Sequence, residues 1–78
     1  MSRIGLLREA YDANWADLYV NGVLLVKDGD VAMDLVAQTF LYYFRKIESI
    51  KGEVNIKSFL LTTLRDLAVN HLRFNQSI

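Results

Sequence analysis

The sequence predicts an all-α fold, a compact single-domain bundle of three helices. The 78-residue chain has no proline and only four glycines, so few positions interrupt a helix. Its apolar residues recur at steps of three and four, the spacing of one helical face, and no alternation of period two continues long enough for a strand. Two polar breaks, residues 27–30 and 49–53, divide this pattern into three segments that short connections can join into a bundle.

The first segment predicts a helix that continues through an Asn-Gly pair. Asn21-Gly22 could form a hairpin turn, but the apolar spacing continues through it, which favours an unbroken helix. A glycine inside a helix costs about 1 kcal/mol relative to alanine unless it allows another helix to approach closely. The predicted apolar face comprises Ile4, Leu7, Tyr11, Trp15, Leu18, Gly22 and Leu25.

The two breaks supply the expected helix ends. Gly29 is expected to adopt a positive φ angle, Asp30 to cap the second helix and Asn55 to cap the third. The second helix should bury Leu35, Val36, Phe40, Tyr43, Phe44 and Ile47. The third should bury Ile56, Phe59, Leu60, Thr63, Leu64, Leu67, Ala68, His71 and Leu72. The aromatic side chains expected in the core are Trp15, Phe40, Phe44 and Phe59.

Composition argues against several classes of protein. The chain has no cysteine, so it can form neither a disulfide nor a thiolate metal site. Its longest apolar run, residues 23–26, is far shorter than the ~18–20 residues of a membrane-spanning helix. The N-terminus also lacks the pattern of a signal peptide. These features predict a cytoplasmic protein without a membrane partner.

The sequence contains no recognisable catalytic pattern. His71 is the one histidine, and at the edge of an apolar face a lone histidine is more often packed than catalytic or metal-binding. Asp28 and Asp30 flank a glycine, but a cation loop needs further oxygen ligands and a closing glutamate. The glycines are scattered rather than gathered in a phosphate-binding loop. We therefore expect a protein that is not an enzyme and needs no metal or cofactor.

Charge is balanced over the chain but not along it. Nine basic and nine acidic residues give a net charge of +0. Residues 1–50 carry five basic and seven acidic side chains, whereas residues 51–78 carry four basic and two acidic ones. Because nonspecific nucleic-acid affinity comes mainly from neutralised phosphates, contact with a nucleic acid is expected in the last third. A protein partner is the better expectation for the first two-thirds.

The most specific pattern lies in residues 30–73. Two amphipathic segments, DVAMDLVAQTFLYYFRKIESI and IKSFLLTTLRDLAVNHLR, are joined by KGEVN, and Tyr11, Trp15, Leu18 and Tyr19 precede them. In order, spacing and loop position, this arrangement resembles conserved region 2 of extracytoplasmic-function sigma factors, members of the sigma-70 family. The resemblance covers nearly the whole chain. It implies a sigma region 2-like bundle that acts in transcription initiation by RNA polymerase.

In that family, the second helix docks on the coiled-coil clamp helices of the polymerase large subunit. The resemblance therefore implies a polymerase-binding stripe, whose positions share one side of the second helix. The alternative is an ordinary solvated helix face. The implied polymerase-binding residues are Asp34, Gln38, Tyr42 and Arg45.

The stripe departs from the usual family pattern. Ala37 stands where glutamine is usual, and Gln38 stands where an acid is usual. Tyr42 replaces a common arginine, and Met33 replaces a common glutamate. The stripe is consequently less charged and more apolar than in typical members.

The family also melts promoter DNA and reads its minus-ten element with the loop before the third helix and that helix's exposed side. A base flipped from the non-template strand enters the loop. A glycine loop exposes backbone amides, and arginines on a helix can follow a phosphate track. The alternative is that Asn55 only caps the helix and the basic side chains are solvated. The implied DNA-binding residues are Lys51, Gly52, Glu53, Val54, Asn55, Lys57, Ser58, Arg65, Asn70 and Arg73.

Two hypotheses of function follow. The first is a sigma-factor promoter-melting domain, expected here without the helix-turn-helix domain that reads the minus-thirty-five element in the family. The second is a helical interaction module that no longer binds DNA. Such a module would be the target of an anti-sigma factor or would self-associate through Tyr42, Tyr43 and neighbouring apolar residues.

Overall fold

Three α-helices form the fold: α1 (Arg3–Val26), α2 (Gly29–Lys46) and α3 (Ile56–Gln76). The computed structural model describes residues 2–50 and 55–76, and within these ranges it contains no strand. Each helix packs against the other two, which confirms the prediction of an all-α three-helix bundle. None of the helices in the described ranges combines the length and apolar character needed to cross a membrane.

Helix α1 begins at a serine cap and continues without a break through Asn21-Gly22, as predicted. The Ser2 side chain accepts a hydrogen bond from the Gly5 amide at 3.0 Å. Gly22 is buried, and a Cβ atom placed there would lie 3.2 Å from the Cβ atom of Ala32 in α2. The glycine therefore allows the two helices to approach closely, which was the condition that favoured an unbroken helix.

The connection between α1 and α2 corrects two predictions. Lys27, not Gly29, takes the left-handed conformation, with φ of 60°, and its amide donates to the Val23 carbonyl at 2.8 Å. Asp28, not Asp30, caps α2 by accepting hydrogen bonds from the amides of residues 30 and 31. Gly29 is thus the first residue of α2, and a Cβ atom on it would lie 2.9 Å from the Tyr19 hydroxyl. A side chain at position 29 would therefore need only a shift of the Tyr19 hydroxyl, and no unusual backbone angle requires glycine there.

The predicted faces of α2 and α3 are confirmed, because every residue assigned to them is buried or half-buried. Thr39 is a buried polar residue, and its hydroxyl donates to the Leu35 carbonyl at 2.8 Å, so burial leaves no unpaired donor. The largest fully buried side chains are Leu18, Val36, Thr39, Leu60 and Leu64.

The predicted aromatic core is correct only in part. Phe40 is buried and Phe44 and Phe59 are half-buried, but Trp15 is 40% exposed. The Trp15 and Tyr11 rings stack on the exposed side of α1, with their centroids 6.4 Å apart. Tryptophan is seldom fully buried, and a small domain buries a smaller fraction of its surface than a large one.

The predicted face of α1 is also correct only in part. Leu18 and Gly22 are buried and Leu7 is half-buried. The remaining members are exposed, because α1 carries apolar residues on more than one side. These exposed members are Ile4, Tyr11, Trp15 and Leu25.

An arginine joins the beginning of α1 to the end of α2. The Arg3 guanidinium donates to the Phe44 carbonyl at 3.2 Å and lies 4.7 Å from the centroid of the Phe44 ring. Its Nε atom lies 3.7 Å from a Glu48 carboxylate oxygen. A cation at this end of α2 also interacts favourably with the helix dipole. Arg3 thus stabilises the C-terminal end of α2 through its contacts with Phe44 and Glu48.

The contact at Gly22 can be tested by substitution. Gly22→Val should lower the free energy of unfolding by about 1–3 kcal/mol, because the added carbons would overlap Ala32 and separate the helices. Urea unfolding followed by far-UV circular dichroism measures this change. Ala16→Val controls for the cost of a β-branched side chain in a helix, since Ala16 is an exposed residue of α1, whereas only the Gly22 change also removes the cost of a helical glycine. A Gly22→Val variant as stable as the wild type would contradict the proposed close contact.

Candidate interaction surfaces

The four residues predicted to bind the polymerase form an exposed strip along α2, which we call the docking strip. All four side chains are exposed, and the Gln38 amide donates to the Asp34 carboxylate at 3.5 Å. The members of the docking strip are Asp34, Gln38, Tyr42 and Arg45. These side chains are therefore available to a partner, a property that an ordinary solvated face would share.

A groove lies beside the docking strip, between α2 and α3. It encloses about 640 Å³, a volume in the range of sites that hold ligands or the side chains of a partner. Leu41 lies on its α2 wall and is 57% exposed, so the groove offers apolar surface to solvent. The lining residues of this α2/α3 groove are Gln38, Leu41, Tyr42, Arg45, Phe59, Thr62, Thr63, Asp66 and Leu67.

Two stacked aromatic rings, one from each helix, line the α2/α3 groove. The Tyr42 and Phe59 rings are almost parallel, at an interplanar angle of 10° and a centroid distance of 6.0 Å. The Lys46 ammonium lies 5.7 Å from the Tyr42 centroid on the same helix. These contacts hold Tyr42 in place while leaving part of its ring exposed. An oriented aromatic ring beside charged groups, here Arg45 and Asp66, is typical of the residues that dominate binding at protein interfaces.

Tyr43 does not belong to this surface, which corrects its assignment beside Tyr42. It is 4% exposed and its ring packs inward against Phe59 at 6.2 Å. Burial, with a smaller effect from the Glu9 carboxylate, raises the pKa of Tyr43 above its ordinary value of 10.0. The phenol therefore stays neutral at physiological pH. Consecutive helical residues point about 100° apart, so Tyr43 can face the core while Tyr42 and Leu41 face solvent.

The residues predicted to bind DNA divide into several groups. Residues 51–54 lie outside the described residues. The Asn55 side chain accepts a hydrogen bond from the Ser58 amide at 3.1 Å, which confirms it as the cap of α3. Ser58 and Asn70 are exposed, and Arg73 is exposed in the last turns of α3. The structure therefore places the described members along α3 without bringing them into one cluster.

Lys57 forms an ion pair that the sequence pattern did not reveal. Its Nζ atom lies 2.8 Å from an Asp17 carboxylate oxygen, which links the first turn of α3 to the middle of α1. The two residues are 40 positions apart in the chain. No local spacing rule relates residues so distant, so no signal in the sequence could have identified the pair.

Arg65 lies at a second, smaller groove between α1 and α3, with a volume of about 180 Å³. Leu24, on the α1 wall, is 62% exposed. The single apolar face predicted for α1 included Leu25 but not Leu24, so this surface was not predicted as a groove. The signal for it in the sequence was the presence of Leu24 off that face. The lining residues of this α1/α3 groove are Asn21, Leu24, Leu25, Leu61, Leu64 and Arg65.

The described part of the chain lacks a cluster of metal-binding side chains. Residues 2–50 and 55–76 contain no group of three or more His, Cys, Asp or Glu side chains that could hold a metal ion. His71 is half-buried on the apolar face of α3.

The contribution of the Asn55 cap to stability can be tested by substitution. Asn55→Ala should lower the free energy of unfolding by about 0.5–2 kcal/mol, because the Ser58 amide loses its acceptor. Asn55→Asp should retain most of the stability, since a carboxylate oxygen also caps. Thermal or urea unfolding measures both. Asn70→Ala, at an exposed position of α3, should change stability by no more than about 0.5 kcal/mol. A similar loss in Asn70→Ala would contradict the specific role of the cap.

No protein-family model, curated protein or solved structure matches this chain. The likeness to sigma factors therefore rests on the order and spacing of the residues themselves. Physical support for any function comes from the positions of those residues on the three helices.

Proposed function

We propose that this chain is the promoter-melting domain of a sigma factor. It docks on the clamp helices of the RNA polymerase large subunit through the docking strip. It binds the non-template strand of the minus-ten element through residues 51–55 and the exposed side of α3. The position of the docking strip carries the proposal, because the strip is exposed along α2 and three of its members line a groove that could receive a partner's side chain.

The chemistry of the docking strip suits an amphipathic helical partner. Asp34 and Arg45 lie eleven residues apart, which is about 16 Å along a helix. A partner helix with a base near Asp34 and an acid near Arg45 could pair with both ends. Tyr42, between them, would contribute most of the affinity because interface energy concentrates on partly enclosed aromatic residues. The charges would then set the orientation of the partner and the rate of association.

Attachment to the polymerase would strengthen a DNA contact that is weak, but measurable at low salt, in the isolated domain. The chain has no net charge, so its own affinity for a phosphate backbone should be low. Docking would hold α3 beside the promoter at a high effective concentration, where weak contacts are sufficient. A surface that binds a single strand better than a duplex shifts the equilibrium toward the melted promoter. In this proposal the domain acts by binding and has no catalytic residue.

Substitution of Tyr42 tests the docking half of the proposal. Tyr42→Ala should weaken binding to a purified clamp-helix fragment about tenfold or more, because it removes the aromatic anchor. Isothermal titration calorimetry measures the dissociation constant. Tyr11→Ala is the matched control, since Tyr11 and Tyr42 are each 42% exposed and each stacks on another ring. Comparable losses in the two variants would argue against the docking strip.

Charge substitutions test the proposed separation of protein and DNA contacts. Asp34→Lys should weaken binding to the clamp fragment, whereas Asp12→Lys, with the same change in charge on α1, should not. Arg65→Ala should leave clamp binding unchanged and weaken binding to a minus-ten single strand. Absence of clamp binding by the folded wild-type domain would contradict the docking half outright.

A specific observation favours a second candidate, a helical interaction module that does not bind DNA. The α1/α3 groove exposes apolar surface at Leu24, and the positive charge of Lys57 is paired with Asp17. Both features suit a protein partner, such as an anti-sigma factor, better than a phosphate backbone. Titration with a labelled minus-ten single strand distinguishes the candidates. Binding that weakens steeply with salt favours the first, and absence of binding at low salt favours the second.

A further inference from the structure

We infer that Asp17 lowers the affinity of α3 for the DNA backbone by pairing with Lys57. This inference rests on the DNA half of the proposed function. It adds an affinity-determining residue on α1, a helix to which the family resemblance assigns no DNA contact.

The geometry of the pair supports this role. The Lys57 ammonium and the Asp17 carboxylate are 2.8 Å apart, and both side chains are more than half exposed. The Asn21 side-chain amide donates to the Asp17 backbone carbonyl at 2.7 Å, so in this arrangement it does not compete with Lys57 for the Asp17 carboxylate. The pair therefore lies on the surface, where a nucleic-acid strand following α3 would meet it.

The packing of α1 against α3 does not depend on this ion pair. Leu18, Leu60 and Leu64 are almost completely buried and supply the apolar contact between the helices. Exposed ion pairs contribute little to stability, because solvent screens them and ordering long side chains costs entropy. Replacement of Asp17 should thus change the charge at this surface without unfolding the domain.

The electrostatic consequence follows from how phosphates gain affinity. A lysine that neutralises a phosphate releases condensed counterions from the nucleic acid, and this release drives much of the binding. A phosphate that contacts Lys57 must either displace the Asp17 carboxylate or share the Lys57 ammonium with it. In both cases the negative charge of Asp17 repels the phosphate. Asp17 should therefore cancel most of what Lys57 would contribute.

Substitution of Asp17 by its neutral isostere tests the inference. Binding of a labelled single-stranded oligonucleotide, measured by fluorescence anisotropy at about 50 mM salt, should tighten about threefold to tenfold in Asp17→Asn. The slope of log affinity against log salt should steepen by about 0.7, which corresponds to one additional phosphate contact on a single strand. Asp17→Ala serves as a second variant that cannot replace the carboxylate with an amide hydrogen bond. Circular dichroism verifies that each variant is folded.

A matched control separates the local pair from the overall charge. Asp12→Asn raises the net charge by the same amount, and Asp12 also pairs with a cation, Arg8 at 4.0 Å within α1. This variant should tighten binding much less than Asp17→Asn. Lys57→Gln should have a small effect in the wild-type background and should abolish the gain in the Asp17→Asn background, which a double-mutant cycle quantifies.

The possible outcomes distinguish this inference from the proposed function. A gain that is specific to Asp17→Asn and requires Lys57 supports the inference. Equal gains in Asp12→Asn and Asp17→Asn, or a wild type that binds as tightly as Asp17→Asn, would overturn it and leave the proposed function intact. If neither the wild type nor any variant binds the strand at low salt, the DNA half of the proposed function fails and the inference fails with it.

Discussion

The close approach of α1 and α2 at Gly22 and Ala32 is the constraint on which the other surfaces depend. Ala32 lies in the first turn of α2, and a Cβ atom on Gly22 would lie only 3.2 Å from it. This contact brings the first turn of α2 close against α1, with Ala32 facing α1. Leu35 and Val36 then face the core, and the docking strip faces solvent. The exposure of the strip is thus a consequence of helix packing.

Helix α3 separates two surfaces that differ in chemistry. Asp66 lines the α2/α3 groove, whereas its neighbour Arg65 lines the α1/α3 groove. Adjacent residues of a helix point in different directions, so one helix contributes to both grooves without placing their residues together. A protein on the docking strip and a strand along Lys57 and Arg65 could therefore occupy the domain at the same time. This separation is what a domain with one protein partner and one nucleic-acid partner requires.

The sequence predicted those parts of the fold that depend on regular spacing. The buried faces of α2 and α3 follow from helical spacing, and the Asn55 cap follows from the preference of asparagine for that position. The structure confirms these predictions. The α1–α2 connection was less predictable because two aspartates in one tetrapeptide can each cap a helix, and the choice depends on where α1 ends. Since α1 is apolar on several sides, spacing could not select its buried face, and Trp15 was misplaced for that reason.

The candidate site was likewise predictable only in part. Exposure of Asp34, Gln38, Tyr42 and Arg45 follows from the helical period once the buried face of α2 is known. The α2/α3 groove and the α1/α3 groove depend on how α3 packs against its neighbours, which the sequence does not specify. The Lys57–Asp17 pair depends on the same packing. Long-range contacts therefore determine the parts of the site that spacing alone could not supply.

Each surface of the domain has a contact within the chain with which a partner would have to compete. The α2/α3 groove exposes apolar side chains such as Leu41, but its aromatic wall is partly occupied by the contact between Tyr42 and Phe59. On the opposite side of α3, Asp17 offsets Lys57, and the whole chain carries no net charge. Two weak surfaces on one rigid bundle bind well only when one interaction raises the local concentration for the other. These properties suit the proposed function, in which docking on a protein would precede contact with a strand.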